Sequence, residues 1–96
     1  MKPSIALQTH RAMIRQVVHA HRACNARVFG SVVHGDDTED SDLDLLIDPT
    51  AEMTFMDIGA IRYKLRILLG VPVDVLTPKA LPDSFHDRVL QEAIPV

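Results

Sequence analysis

The sequence predicts a small α/β or α+β fold in which helices pack on a sheet of about three strands, in the order α-β-β-α-β-α. Apolar residues recur at helical spacing near the start, in the middle and at the end of the chain, whereas residues 43–48 change to a period of two. A helix lies between the last two strands, so these strands should run parallel through a right-handed crossover.

The first helix is predicted over residues 4–24, where one apolar stripe runs along the helix. Its members are Ala6, Met13, Val17, Ala20 and Cys24. Asn25 ends this helix, and residues 26–29 form a short strand that leads into Gly30.

The second strand begins at Leu43 and stops at Pro49, which lacks the backbone donor that a strand requires. One face carries Leu43, Leu45 and Ile47; the other carries Asp42, Asp44, Leu46 and Asp48.

Thr54 and Asp57 resemble a capping box at the start of the middle helix, which ends at Gly70. The apolar stripe of this helix is predicted to be Phe55, Ile58, Ile61, Leu65 and Leu68. Its basic residues Arg62, Lys64 and Arg66 predict a solvated face, with contact to nucleotide or an acidic partner as the alternative.

Residues 71–78 form the third strand, on which Asp74 points outward between Val73 and Val75. The last helix begins at Ser84, with Phe85, Val89, Leu90 and Ile94 on its buried side.

The chain of 96 residues is predicted to be a single domain, residues 1–96. Nine of its thirteen acidic residues lie between Asp36 and Asp57, and no lysine or arginine occurs between Arg27 and Arg62. This charge distribution repels a nucleic-acid backbone and attracts cations, so we expect no direct nucleic-acid partner. A lone cysteine and the absence of a signal peptide or membrane span predict a cytoplasmic protein without a membrane partner.

Two carboxylates, Asp42 and Asp44, project from one face of the second strand with Cα atoms ~6.6 Å apart. Asp74 joins them if it lies on the same face of the neighbouring strand. Unit charges ~6 Å apart repel by roughly 3 kcal/mol at an effective dielectric of ~20, so such a cluster favours divalent cations. Mg²⁺ suits hard oxygen ligands that leave room for substrate phosphates.

The acidic segment has two other interpretations, of which the first remains open and the second fails. A pair of acids on a strand is commonly a solvated face, and the loop before it could be a flexible surface turn. A calcium-binding EF-hand loop that begins at Asp40 fails, because Leu45 stands where glycine is required and Ala51 where glutamate is required.

Gly30 and Ser31 favour the functional interpretation. A glycine that ends a strand lets the backbone approach a ligand closely, and amides with a hydroxyl at a helix start can cradle phosphate. Gly35 closes the turn four residues after Ser31.

The segments "GSVVHG" (30–35), "SDLDLLI" (41–47) and "VDVL" (73–76) together resemble the minimal nucleotidyltransferases of the DNA polymerase β superfamily. Many of these stand-alone domains are partners of HEPN-domain proteins in toxin–antitoxin pairs. The resemblance covers nearly the whole chain and implies the palm-like nucleotidyltransferase fold.

The resemblance also implies roles for individual residues. Asp42, Asp44 and Asp74 would be catalytic and would ligate Mg²⁺, with two ions and ATP as the nucleotide. The nucleotide would be held by Gly30, Ser31, His34, Gly35 and Ser41. The sequence departs from the family pattern at His34, where relatives often carry arginine.

The resemblance implies an enzyme that transfers AMP from ATP to a hydroxyl, that of a tyrosine, on a HEPN toxin, and thereby acts as an antitoxin. The first alternative is a non-catalytic antitoxin that neutralises the partner by docking. The second is a transferase acting on an aminoglycoside-like small molecule, for which relatives usually carry a further domain.

Overall fold

A computed structural model describes residues 1–96 and confirms a mixed α/β fold. The helices are α1 (Pro3–Thr9), α2 (Arg11–Ala20), α3 (Ser31–His34), α4 (Phe55–Leu69) and α5 (His86–Glu92), with a 3₁₀ helix at Pro78–Ala80. The strands are β1 (Ala23–Phe29), β2 (Leu43–Pro49), β3 (Val73–Leu76) and β4 (Ile94–Pro95). They lie in the order β3-β2-β1-β4; β2 and β3 are parallel as predicted, whereas β1 is antiparallel to β2 and β4.

The N-terminal helix is two helices rather than one, because the chain leaves helical geometry at His10 (φ −124°, ψ 29°). The break shifts the phase of the second helix, so the predicted single stripe is wrong. The buried residues of the two helices include Ala6, Leu7, Ile14 and Val18, whereas Ala20 is exposed. Cys24 lies in β1 beside Asp48 rather than on the helix.

The residues of β2 alternate between two faces as the period of two predicts, and each face contributes to a hydrophobic cluster. Leu43, Leu45 and Ile47 lie in the main core beneath α1, α2 and α4. Leu46, on the other face, packs in a second cluster with Phe29, Leu81 and Val89. The polar residue Asp44 therefore lies on the face of the smaller cluster, at the start of the strand.

Helix α4 begins with the predicted capping box of Thr54 and Asp57 and ends at Gly70 in the left-handed region (φ 69°). Its buried residues are Asp57, Ile61, Leu65 and Leu69. Phe55 is exposed by 91%, so its predicted burial is wrong. It lies two residues before Asp57, so the two side chains point in directions about 160° apart around the helix.

The C-terminal segment differs from the prediction because a fourth strand follows α5. Ile94 pairs with Val28 of β1 and is exposed, so it does not lie on the buried side of a helix. A strand of two residues that includes Pro95 carries no alternating pattern from which it could be predicted. No helix of the protein has the length and apolar character needed to span a membrane.

Candidate nucleotidyltransferase site

The turn at Gly30 connects β1 to α3 and lies directly against Asp44. Gly30 adopts φ 77° and ψ −147°, a conformation that residues with a side chain rarely adopt. A Cβ atom at this position would overlap the Asp44 carboxylate. Gly35, also in the left-handed region (φ 74°), ends α3 in open space. The glycine–serine turn and the acidic strand thus meet at one point.

Asp44 is central to the three predicted carboxylates. It lies beside Asp74 in the parallel register of β2 and β3, and opposite Phe29 in β1. Burial, followed by the negative charges of Asp74 and then Asp42, raises the pKa of Asp44 from 3.8 to about 6. Because each neighbour disfavours the ionised form, the site has a deficit of positive charge.

The carboxylates are near one another but do not form a preassembled metal site, since no group of three or more His, Cys, Asp or Glu side chains has the required geometry. The Oδ1 atom of Asp74 lies 3.9 Å from Nη2 of Arg66, whose Nε also donates to the Val73 carbonyl at 3.2 Å. Asp74 therefore has a cation beside it, whereas the charges that act on Asp44 are negative. The hard oxygen donors and the raised pKa of Asp44 suit a divalent cation such as Mg²⁺.

The acidic loop before β2 is fixed by hydrogen bonds rather than free. The Ser41 hydroxyl accepts a hydrogen bond from the Thr38 amide at 2.8 Å. Asp37 Oδ2 accepts one from the Ser4 amide at 2.9 Å, and this bond is the main cause that lowers the pKa of Asp37. Ser41 therefore shapes the loop that carries Asp42 into the site.

A cavity of about 310 Å³ adjoins Gly30 between α3 and α5. Nε2 of His34 donates to Glu92 Oε2 at 2.9 Å, and Nε of Arg88 lies 3.4 Å from Glu92 Oε1. Phe85, Arg88 and Glu92 were not among the predicted site residues. The spacing of Arg88 and Glu92 indicates a helical ion pair, but no pattern in the sequence places α5 against α3.

Comparison with known proteins shows the family to which the chain belongs. Residues 14–96 match the family model described as "Nucleotidyltransferase domain", so the chain belongs to that family of enzymes. A solved structure of a provisionally assigned minimal nucleotidyltransferase is 38% identical, with a TM-score of 0.86, and the match covers 97% of this chain and 95% of that one. The protein is thus a nucleotidyltransferase of the minimal type, as the sequence motifs predict.

Among sequence relatives, the protein adenylyltransferase MntA of Thermococcus cleftensis is 35% identical over 70% of this chain and 68% of its own length. A Methanocaldococcus jannaschii protein, provisionally named as a protein adenylyltransferase, is 34% identical over 79% of this chain and 82% of its own length. A structure described as a toxin-antitoxin with AMP-PNP shares the fold (TM-score 0.73, 16% identity, 88% of this chain and 69% of that one).

Proposed function

We propose that the protein transfers AMP from ATP to a hydroxyl group of a partner protein, and that the partner is a toxin with a HEPN domain. The observation that carries the proposal is the position of Asp44, which lies directly against Gly30 and is paired in register with Asp74 on the neighbouring strand. The names of the two sequence relatives support AMP as the transferred group and protein as the acceptor. The toxin–antitoxin fold neighbour supports the kind of partner, and the tyrosine hydroxyl is the proposed acceptor group.

In the proposed reaction, the acceptor oxygen attacks the α-phosphorus of ATP and loses its proton. The bond between the α-phosphorus and the bridging oxygen breaks, and pyrophosphate leaves. Asp42, Asp44 and Asp74 would hold two Mg²⁺ ions, which supply positive charge for the attacking and leaving oxygens. Asp74 would accept the proton of the hydroxyl, and its position beside Asp44 with about half of its side chain exposed supports this role.

The nucleotide phosphates are proposed to bind at the turn that begins with Gly30 and Ser31. Gly30 makes room for the Asp44 carboxylate beside this turn because it has no side chain, and Gly35 ends the short helix α3. His34 points into the adjoining cavity, where it can donate a hydrogen bond. Ser41 contributes by fixing the loop before Asp42.

The outer face of α4 supports a protein rather than a small molecule as the acceptor. Met56, Tyr63 and Ile67 are exposed by 84%, 67% and 63%, and their spacing places all three within about 40° around the helix. Lys64 and Arg66 lie about 80° to either side of this stripe. An apolar stripe between cations fits a partner surface with an apolar centre and an acidic rim.

Arg66 links this outer face of α4 to the carboxylates, because its side chain contacts both Asp74 and the Val73 carbonyl. A partner bound to the face would therefore lie beside Asp74. A non-catalytic antitoxin would also need such a surface to bind its partner, so docking without transfer of AMP is the second candidate function.

The two candidates are separated by incubating the protein with ATP labelled at the α-phosphate, Mg²⁺ and the purified product of the neighbouring gene, tested as the proposed toxin. We expect label on the toxin with the unaltered protein and none with Asp44→Asn, whereas Asp87→Asn, a change on the exposed side of α5, should leave transfer intact. Formation of a stable complex with no label, equally with all three proteins, would support the docking function. Label on an added aminoglycoside but not on the toxin would contradict both.

A further inference from the structure

In the cavity between α3 and α5, the carboxylate of Glu92 occupies a position that could also bind the anionic group of a ligand. Glu92 accepts a hydrogen bond from His34 at 2.9 Å and lies 3.4 Å from Nε of Arg88. The same cavity is lined by Gly30, the residue at which the proposed phosphate-binding turn begins. Two donors that converge on one carboxylate beside such a turn define a place where a negatively charged oxygen is stabilised.

Arg88 is available to a ligand at this place. Its side chain is 70% exposed, and Glu92 is its only charged partner. A guanidinium presents several donors in a plane, which matches phosphate oxygens. The cavity volume of about 310 Å³ is enough for phosphate groups but small for a whole nucleoside triphosphate, which must extend out of it towards Asp44.

We propose that Arg88 binds the outer phosphates of the nucleotide and that Glu92 competes with those phosphates for Arg88 and His34. The proposal rests on the proposed nucleotide site at Gly30 and Ser31. Before the nucleotide binds, Glu92 satisfies both donors. When the triphosphate enters, its terminal oxygens replace the carboxylate, which turns towards solvent, since about a third of its side chain is already exposed.

This arrangement gives opposite effects for two neighbouring residues, which a purely structural role would not produce. Loss of Arg88 removes a charge-assisted contact to the phosphates. Loss of the Glu92 charge removes the competitor and its repulsion of the phosphates, while glutamine keeps the shape of the side chain. Both effects require the outer phosphates, so the affinity for AMP, which lacks them, should not change.

The test is isothermal titration calorimetry of the full chain with AMP-PNP and Mg²⁺, and separately with AMP. We expect Glu92→Gln to bind AMP-PNP about threefold to tenfold more tightly than the unaltered protein. Arg88→Ala should bind AMP-PNP more weakly, by a factor of about ten or more. The affinity of Arg88→Lys should lie between those of Arg88→Ala and the unaltered protein. The charge-matched controls are Asp87→Asn, whose side chain is 96% exposed on the same helix, and Lys79→Ala, which does not line the cavity.

Weaker or unchanged AMP-PNP binding by Glu92→Gln would overturn the competition, and unchanged binding by Arg88→Ala would overturn the phosphate contact. Equal changes in the affinity for AMP would also contradict the proposal, because the effect would then not arise at the outer phosphates. These results are distinct from a failure of the proposed function, in which the unaltered protein itself would bind no AMP-PNP. Melting temperatures of all variants verify that each one is folded.

Discussion

The Asp44 carboxylate occupies the space that a Cβ atom on Gly30 would need. This contact joins the two halves of the candidate site, because Gly30 begins the proposed phosphate-binding turn and Asp44 lies between Gly30 and Asp74 in the sheet. A side chain at residue 30 would strain the backbone and displace the carboxylate at the same time. Residue 30 therefore determines the position of the acid as well as access to the backbone.

Gly30→Ala should abolish nucleotidyl transfer and lower the stability of the protein. The φ of 77° with ψ of −147° is nearly restricted to glycine, and such strain costs about 1–3 kcal/mol. The side chain of Asp44 must also move from the position that the structure gives it. Urea denaturation measures the first effect, and the labelled transfer reaction measures the second.

The matched control is Gly59→Ala, in the interior of α4. Residue 59 has no positive φ, and an added Cβ would meet no atom within 4 Å. Alanine at this position should raise the free energy of unfolding by about 1 kcal/mol, because glycine is a poor helix former. If both alanine variants lost stability equally, the specific contact between Gly30 and Asp44 would not be the cause.

Asp44→Asn should raise the melting temperature in buffer with EDTA at pH 7.5. Burial and the charges of Asp74 and Asp42 raise the pKa of Asp44 to about 6, above the ordinary 3.8, so the folded state disfavours the ionised form. Asp44 therefore costs stability as pH rises from about 4 to about 6, and the full cost persists above that range. A neutral amide avoids it.

Thermal denaturation from pH 3.5 to 8 measures the difference between Asp44→Asn and the unaltered protein. The stabilising effect should disappear below about pH 4, where Asp44 is protonated in both the folded and unfolded states. If Asp44→Asn were less stable than the unaltered protein at pH 7.5, the claim that ionised Asp44 destabilises the folded state would be contradicted. Addition of Mg²⁺ with AMP-PNP should stabilise the unaltered protein but not the variant.

Elements with a strong local signal could be predicted from the sequence. The period of two from Leu43 fixed both faces of β2, and the pair of Thr54 and Asp57 located the start of α4. The parallel pairing of β2 and β3 followed from the helix between them. These features depend on residues close in sequence, or on the general rule that strands joined through a helix are parallel, so a single sequence is enough to predict them.

Features that depend on long-range packing could not be predicted. The cavity is lined by residues from the end of β1, from α3 and from α5, which are far apart in the sequence. No local pattern predicts the hydrogen bond between Glu92 and His34 that joins α5 to α3. The break at His10 leaves the apolar composition unchanged while it resets the helical phase, so a single stripe remained a reasonable hypothesis. In the site itself, the sequence predicts which acids occur, but their mutual influence on the pKa of Asp44 depends on its burial.

Asp57→Asn should lower the melting temperature at neutral pH and reduce its dependence on acid pH. Asp57 Oδ2 accepts a hydrogen bond from the Thr54 amide at 2.9 Å, and its Oδ1 accepts one from Arg22 at 2.9 Å. The Thr54 amide, more than Arg22, holds the pKa of Asp57 below its ordinary value. The carboxylate joins the start of α4 to the end of α2, where His21 also lies 3.8 Å away.

A lowered pKa means that the ionised form of Asp57 stabilises the folded state above about pH 4. This contribution is lost as pH falls through the lower pKa of the folded state. Thermal denaturation from pH 7 to pH 2 should therefore give a shallower acid decline for Asp57→Asn than for the unaltered protein. Asp87→Asn, at an exposed position, should follow the unaltered curve; parallel curves for all three proteins would show that the cap does not determine acid stability.

Tyr63→Glu should weaken the complex with the proposed toxin partner by about 2 kcal/mol, or about thirtyfold in Kd, because aromatic residues at the centre of an interface carry much of its binding energy. Tyr63 lies in the middle of the exposed apolar stripe on α4, between the cations Lys64 and Arg66. The stability of the isolated protein should hardly change, since exposed substitutions usually fall within about 0.5 kcal/mol. Surface plasmon resonance with immobilised toxin measures the change.

The control is Ile5→Glu, which places the same charge at an exposed apolar residue of α1 and should leave the affinity for the toxin unchanged. Lys64→Glu should slow association more than it speeds dissociation, and the effect should shrink in high salt, because a charge at the edge of an interface acts mainly by attracting the partner. If Ile5→Glu weakened the complex and Tyr63→Glu did not, the partner would bind on the face of α1, and α4 would not guide the acceptor hydroxyl to Asp74.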